Sequence, residues 1–69
     1  MKRTLLHEQW GDGRNAKIYI VNNTEVHYEV EFYESERIKE TRQMITNGVA
    51  HSERYAEDAA ENWCLGYIP

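Results

Sequence analysis

Three histidines and one cysteine are the side chains of this sequence best suited to binding a transition metal. They are His7, His27, His51 and Cys64, and they fall in four separate segments of the chain. Structural zinc sites usually take ligands in closely spaced pairs such as Cys-x-x-Cys, and no two of these residues form such a pair. The sequence therefore predicts no metal site and no cofactor. His27 and His51 are expected to be solvated or capping groups.

Nucleophilic and acid–base chemistry find no better support in the residue pattern. Cys64 is expected near a helix C-terminus, where the helix dipole disfavours a thiolate. Ser35 and Ser52 lack the Gly-x-Ser-x-Gly context of a serine hydrolase. Glu29 and Glu31 have the spacing of a solvated strand face, whereas catalytic carboxylate pairs need a cleft and one desolvated member. The sequence thus predicts a protein that is not an enzyme.

Net charge limits the partners that this chain can take. The 69 residues include 12 acidic and 8 basic side chains, which gives a net charge of −4. Segment 25–36 contains five glutamates and no lysine or arginine. Proteins that bind nucleic acid usually carry a basic excess, because neutralising phosphates supplies much of the affinity. The charge therefore argues against nucleic acid as the partner.

The cysteine count and the N-terminal segment bear on the compartment. A single cysteine cannot form a disulfide within the chain and is typical of reducing compartments. The first apolar stretch is only Leu5-Leu6, whereas a signal peptide needs about 7–15 apolar residues. No segment reaches the roughly 20 apolar residues of a membrane span. We expect a cytoplasmic domain that does not associate with a membrane.

Two neighbouring strands are the elements that the sequence predicts most clearly. Apolar and polar side chains alternate in segments 16–21 and 25–33, which is the period of a strand with one buried face. Asn22-Asn23 between them suits a tight hairpin turn. Connections this short require antiparallel neighbours.

Two further strands are predicted on the flanks, at 4–10 and 37–45. In the first, Leu6 and Trp10 are expected on one face and Leu5 on the other. In the second, Ile38 has the parity of a core residue, and the charged residues around it suit an edge strand.

The last segment has a helical period, and a helix is predicted over 53–65. Ser52 is a suitable N-cap and Gly66 a suitable C-terminal stop. Between them, small and aromatic residues recur on one stripe. The fold is therefore expected to be α+β: a three- to four-stranded antiparallel β-meander with one C-terminal α-helix packed on one face, in a single domain spanning 1–69. The predicted core is Ile18, Ile20, Tyr28, Val30, Phe32, Ile38, Tyr55, Ala56, Ala59, Ala60 and Trp63.

The sheet face turned away from the helix is the remaining candidate for a function. Tyrosine is enriched at protein interfaces, and tyrosines beside carboxylates suit a protein partner. The alternative is a face left open to water, with ordinary cross-strand pairs. The candidate partner-binding residues are Tyr19, His27, Glu29, Glu31 and Tyr33.

Two other functions stay open from the sequence. One is a nucleic-acid-associated module whose basic residues gather into a local patch, provided that the first and fourth strands lie on the same side of the sheet. The other is a purely structural homodimer formed through an edge strand. The residues of the basic patch would be Lys2, Arg3, Arg14, Arg37, Lys39 and Arg42.

The run from Ala56 to Gly66, behind a hairpin rich in tyrosine and glutamate, resembles small accessory proteins of tailed bacteriophages, particularly those that infect cyanobacteria. The resemblance covers about the last two-thirds of the chain. Proteins of that kind often bind and redirect a host protein. The resemblance therefore implies a modulator or inhibitor of a host protein, acting in the host cytoplasm.

Overall fold

Four antiparallel strands in sequence order form the main sheet of the computed structural model, which describes residues 2–22 and 25–67. A second, two-stranded ladder and one helix follow. The prediction of an α+β fold with a C-terminal helix packed on the sheet is confirmed. The elements are β1 (Lys2–Trp10), β2 (Arg14–Asn22), β3 (Val26–Glu34), β4 (Arg37–Gln43), β5 (Ile45–Thr46), β6 (Val49–Ala50) and α1 (Glu53–Cys64).

Both ends of α1 carry the predicted caps. The hydroxyl of Ser52 accepts a hydrogen bond from the backbone N–H of Tyr55 at 3.2 Å. At the other end Gly66 has a φ of +83°. Its N–H donates to the Trp63 carbonyl at 3.1 Å, and the N–H of Tyr67 donates to the Asn62 carbonyl at 2.8 Å. This pair of bonds is the Schellman arrangement, for which glycine is the favoured residue.

The core lies between α1 and the two central strands. Small helix residues bring the axis close to β2 and β3, and Trp63 packs against Phe32 with ring centroids 5.2 Å apart. The indole N–H of Trp63 donates to the Tyr33 carbonyl at 2.8 Å, so its polar atom is satisfied. Tyr28 and Ala59 pack at the margin. The buried cluster is Ala16, Ile18, Val30, Phe32, Met44, Ala56, Ala60, Trp63 and Cys64.

The prediction that Ile38 belongs to the core is wrong, and a β-bulge is the reason. Phe32 pairs with Glu40, but the next residue, Tyr33, pairs with Ile38, so β4 contains one extra residue at Lys39. Because side chains alternate along a strand, one extra residue moves the following side chain to the other face. Ile38 therefore lies on the face away from α1 and is 52% exposed.

A second bulge changes the predicted faces of β1. Leu5 pairs with Tyr19, whereas His7 pairs with Ile18, so Leu6 is the extra residue. Leu5 and Trp10 consequently share the face away from the helix, and the prediction that Leu6 accompanies Trp10 while Leu5 opposes it is wrong.

Tyr55 was also predicted in the core and is instead 49% exposed. The buried helix stripe is centred on Ala56, Ala60 and Trp63, so Tyr55 lies on its flank. Its ring stacks on His51, with centroids 3.9 Å apart and planes 14° from parallel.

The β5–β6 hairpin is the element that the sequence prediction missed. Asn47 and Gly48 have φ values of +53° and +79°, the left-handed pair of a tight hairpin turn. Met44, buried before the hairpin, joins it to the main sheet: its N–H donates to Tyr28 and its carbonyl accepts from His51, both at 2.8 Å.

The predicted turn at Asn22-Asn23 falls partly outside the described residues. No helix in the described part of the chain is long and apolar enough to cross a membrane.

Candidate functional site

The face of the main sheet away from α1, called the outer face here, carries four rows of side chains set by the strand register. The last row, which we call the terminal row, crosses all four strands next to the β1–β2 and β3–β4 turns. In order, the rows are Arg3-Val21-His27, Leu5-Tyr19-Glu29-Gln43, Glu8-Lys17-Glu31-Thr41 and Trp10-Asn15-Tyr33-Ile38.

A guanidinium group links the middle of the outer face. Arg3 donates from Nε to Oε1 of Glu29 at 3.1 Å and from Nη2 to Oε2 of Glu31 at 2.7 Å. Its Cζ lies 3.7 Å from the centre of the Tyr19 ring, a cation–π contact. Tyr33 donates its hydroxyl to Oε1 of Glu31 at 2.9 Å. These five residues are called the Arg3 network.

Three members of the network, Glu31, Tyr33 and Tyr19, are each held in one protonation state at neutral pH. Burial raises the pKa of Glu31, but hydrogen bonds from Arg3, Tyr33 and Tyr19 outweigh burial and hold this pKa below its ordinary value. Burial, followed by hydrogen bonding to Glu31, raises the pKa of Tyr33 to about 12. The same two causes raise the pKa of Tyr19. The result is an ionised carboxylate surrounded by donors that keep their protons.

His27 is buried within this face, so the expectation that it is solvated is wrong. It lies directly beside Val21, which is itself buried. Within the described residues its Nε2 makes no hydrogen bond, and the nearest carboxylate oxygen, on Glu29, lies 3.8 Å away.

The terminal row presents large apolar side chains to solvent. Trp10 is 71% exposed and Ile38 52% exposed, at the two edges of the row, with Asn15 and Tyr33 between them. A shallow groove of about 250 Å³ runs beside Trp10. A second groove, of about 200 Å³, continues around Trp10 toward the turns. The first groove is lined by Glu8, Trp10, Asn15, Lys17, Tyr33 and Glu36.

The turn between β3 and β4 fixes one wall of both grooves. Ser35 and Glu36 have φ values of +50° and +67°, a conformation that costs an L-residue about 1–2 kcal/mol. The N–H of Ser35 donates to the Gly13 carbonyl at 2.9 Å, which ties the turn to the β1–β2 loop. Glu36 is thereby held at the groove edge.

The structure brings the five sequence-predicted residues onto one face, with unequal access. His27 and Glu31 are buried, and the other three are half-buried. Trp10 and Ile38, the most exposed members of the terminal row, were not among the predicted residues. For Trp10, the available sequence signal was an aromatic residue directly before the turn residue Gly11. For Ile38, the bulge at Lys39 hid the signal.

The basic residues of the alternative patch do not all gather in one place. β1 and β4 form opposite edges of the sheet, so the condition that the patch required is not met. Arg3 forms an ion pair with Glu29 on the outer face, and Arg42 forms one with Glu40. Arg14 and Lys39 both pair with Glu34, at 3.2 and 3.8 Å.

Two groups with reactive side chains serve packing contacts. Burial raises the pKa of the Cys64 thiol, which donates to the Gln9 carbonyl at 3.3 Å. His51 Nε2 lies 2.7 Å from the Thr46 hydroxyl, and the imidazole face is stacked on Tyr55. This pair joins the β5–β6 hairpin to the start of α1.

A third cluster joins β1 to α1. His7 Nε2 lies 3.3 Å from Oε2 of Glu53 and 3.4 Å from Oε1 of Glu57. The helix spacing of four residues places both carboxylates on one side of α1, and the register of β1 places His7 on the helix side of the sheet. The sequence prediction paired histidines only with each other or with Cys64, so it could not identify this group.

The sequence matches no protein-family model, and no curated protein and no solved structure is similar enough to count as a match.

Proposed function

We propose that this chain is a non-enzymatic protein-binding module that engages its partner through the outer face, centred on the terminal row. The observation that carries the proposal is Trp10, which is 71% exposed between two grooves and shares a row with Tyr33 and Ile38. Tryptophan and tyrosine beside a pocket are the residues that most often dominate binding energy at protein interfaces.

The Arg3 network lies beside the terminal row on the outer face and shares Tyr33 with it. Its side chains are already fixed by hydrogen bonds and a ring contact, so binding does not have to order them. A surface fixed in advance loses less conformational entropy on association. Of the five predicted residues, Tyr33 acts as a groove wall, whereas Glu31 acts by holding Tyr33 and Arg3.

The groove indicates the chemistry of the partner. An apolar side chain of the partner fits against Trp10 and Tyr33, and basic side chains at the rim would face Glu8 and Glu36. The net charge of −4 favours approach of a basic surface by long-range attraction. The partner is therefore a protein with an exposed apolar residue flanked by lysine or arginine.

The non-enzymatic part of the proposal rests on how the reactive side chains are used. Cys64 is buried with a raised pKa, and the Thr46–His51 pair is stacked against Tyr55. The buried free thiol also supports a cytoplasmic location, where cysteines stay reduced. With the bacteriophage resemblance, the proposal becomes a modulator or inhibitor of a host protein.

The test is affinity capture of the tagged chain from a cyanobacterial lysate, comparing wild type with Trp10→Ala and Ile38→Ala. We expect a stoichiometric protein that the wild type retains after nuclease and moderate salt. Both variants should lose it while keeping the wild-type melting temperature, because both side chains are exposed.

The matched control is Tyr67→Ala, which removes an aromatic side chain that is 75% exposed beyond the helix end. It should capture the same protein as wild type. Equal recovery by Trp10→Ala would contradict the proposed surface. Loss of recovery on nuclease treatment would favour the nucleic-acid alternative.

A structural homodimer remains the second candidate, since β1 is an edge strand with exposed Leu5 and Leu6. Sedimentation at two concentrations distinguishes it: a dimer at the higher concentration would support edge pairing, and a monomer at both would exclude it. The bulge at Leu6 and the charges of β1 are features that usually discourage such pairing.

A further inference from the structure

The side chains of His7, Glu53 and Glu57 meet outside the outer face, on the opposite side of the sheet. Their ligand atoms all lie within 4.8 Å of one another. One comes from an edge strand and two from successive turns of α1. Among the described residues this is the one place where three such groups converge.

The two nitrogen–oxygen distances fit a zinc ligand set as well as they fit an ion pair. His7 Nε2 is 3.3 Å from Glu53 and 3.4 Å from Glu57, whereas charge-assisted N–H···O bonds are about 2.7–2.9 Å long. One ring nitrogen also has only one proton to donate, so it cannot serve both carboxylates well. Four-coordinate zinc with bonds of about 2.0–2.1 Å holds neighbouring ligand atoms about 3.3–3.4 Å apart.

The charges of these three side chains also favour a bound cation. The two carboxylates carry two negative charges and share one imidazole, whose charge is at most +1. A divalent cation between the three side chains neutralises this excess, with a nitrogen and two oxygen ligands of the kinds that zinc accepts. The three side chains are 41–45% exposed, so the cation has a path from solvent and a fourth position open to water.

We infer that His7, Glu53 and Glu57 form a zinc-binding site that links β1 to α1. His7 Nε2 supplies the nitrogen ligand, and one oxygen from each carboxylate supplies the others. Gln9, two residues further along β1, donates from Nε2 to the Glu57 carbonyl at 3.4 Å, which holds the strand against the same helix turn. Bound zinc would therefore stabilise the attachment of an edge strand that otherwise contacts α1 weakly.

The test is calorimetric titration of zinc chloride into the metal-free chain, with thermal melts recorded in parallel. We expect one zinc per chain and a melting temperature that rises with zinc concentration, since a ligand that binds only the folded state stabilises it. His7→Gln and Glu57→Gln should each weaken zinc binding by at least about tenfold, because even changes behind the ligands cost that much.

Two controls make the result specific. Glu61→Gln makes the same chemical change one helix turn beyond Glu57 and should leave zinc affinity unchanged. His51→Gln removes a different histidine and should also have no effect. The ¹⁵N shift of His7 Nε2 should move on zinc addition, which reports ligation directly.

The inference is overturned by any of three results. These are no heat and no melting shift at millimolar zinc, affinity that survives His7→Gln, or affinity lost only in His51→Gln. Both ligand variants change exposed side chains. Each should melt at the wild-type temperature in the absence of zinc, which shows that the variant is folded.

Discussion

Glu31 is a buried carboxylate on a sheet face that an amphipathic reading assigns to solvent. It stays ionised because Arg3, Tyr33 and Tyr19 all donate to it. An unpaired buried charge would be expensive, and donors that already face the carboxylate remove most of that cost. This residue therefore couples the stability of the outer face to pH.

We predict that Glu31→Gln lowers stability at neutral pH and flattens its dependence on acid pH. The pKa of Glu31 is lower in the folded chain than its ordinary value of 4.5. Its contribution is therefore full above about pH 4.5 and is lost as the pH falls through the lower, folded value. Urea unfolding at a series of pH values should show the wild-type advantage shrinking below that point.

Glu40→Gln is the control for this prediction. The pKa of Glu40 is also lowered, by a hydrogen bond from Arg42, but this pair is exposed to solvent, and exposed pairs contribute about 0–1 kcal/mol. A wild-type advantage over Glu31→Gln that is the same at pH 3 and pH 7 would contradict the role assigned to Glu31.

At the scale of elements, the close approach of the β1–β2 loop to the end of α1 gives a sharp test. A Cβ added at Gly11 would lie 2.2 Å from the Cys64 carbonyl oxygen, a backbone atom that cannot move aside alone. At Gly13, with a φ of +76°, a Cβ would meet nothing within 4 Å.

We predict that Gly11→Ala destabilises the domain by about 2–3 kcal/mol, since overpacking forces backbone shifts. Gly13→Ala should cost only about 1 kcal/mol, from the left-handed conformation. Thermal or urea unfolding of both variants measures the difference. Equal losses would mean that the loop does not pack on the helix end as described.

The four strands of the main sheet and the helix were predictable, but the faces of these elements were only partly so. Alternation in β2 and β3 and the capped helix stripe predicted the central packing, because these elements have a regular period from end to end. β1 and β4 each contain one extra residue, at Leu6 and Lys39. A bulge changes the hydrogen-bond ladder without changing composition, so residue types alone misplaced Leu5 and Ile38. For the same reason the terminal row was not predicted.

At the scale of the whole molecule, one small core supplies the stability. A chain of this size is expected to have about 3–5 kcal/mol of net stability without a staple. Trp63 is the largest side chain in that core: it contacts Phe32, donates to Tyr33, and has the Arg14 guanidinium 4.2 Å from its ring centre.

We predict that Trp63→Ala unfolds the domain at 25 °C, because truncating a buried tryptophan costs about 3–5 kcal/mol. Circular dichroism and a thermal melt measure the outcome. Trp10→Ala is the matched control, since the same substitution at a side chain that is 71% exposed should leave the melt nearly unchanged. A cooperative melt of Trp63→Ala near the wild-type temperature would contradict the packing described.

The Cys64 thiol, at the end of α1, can report local opening of the folded chain. Cys64 is buried and donates to the Gln9 carbonyl of β1, so an alkylating reagent reaches it when the helix end separates from the sheet. The rate at which this single native cysteine is modified therefore measures how often that junction opens, and the chain carries its own probe of local unfolding without an introduced label.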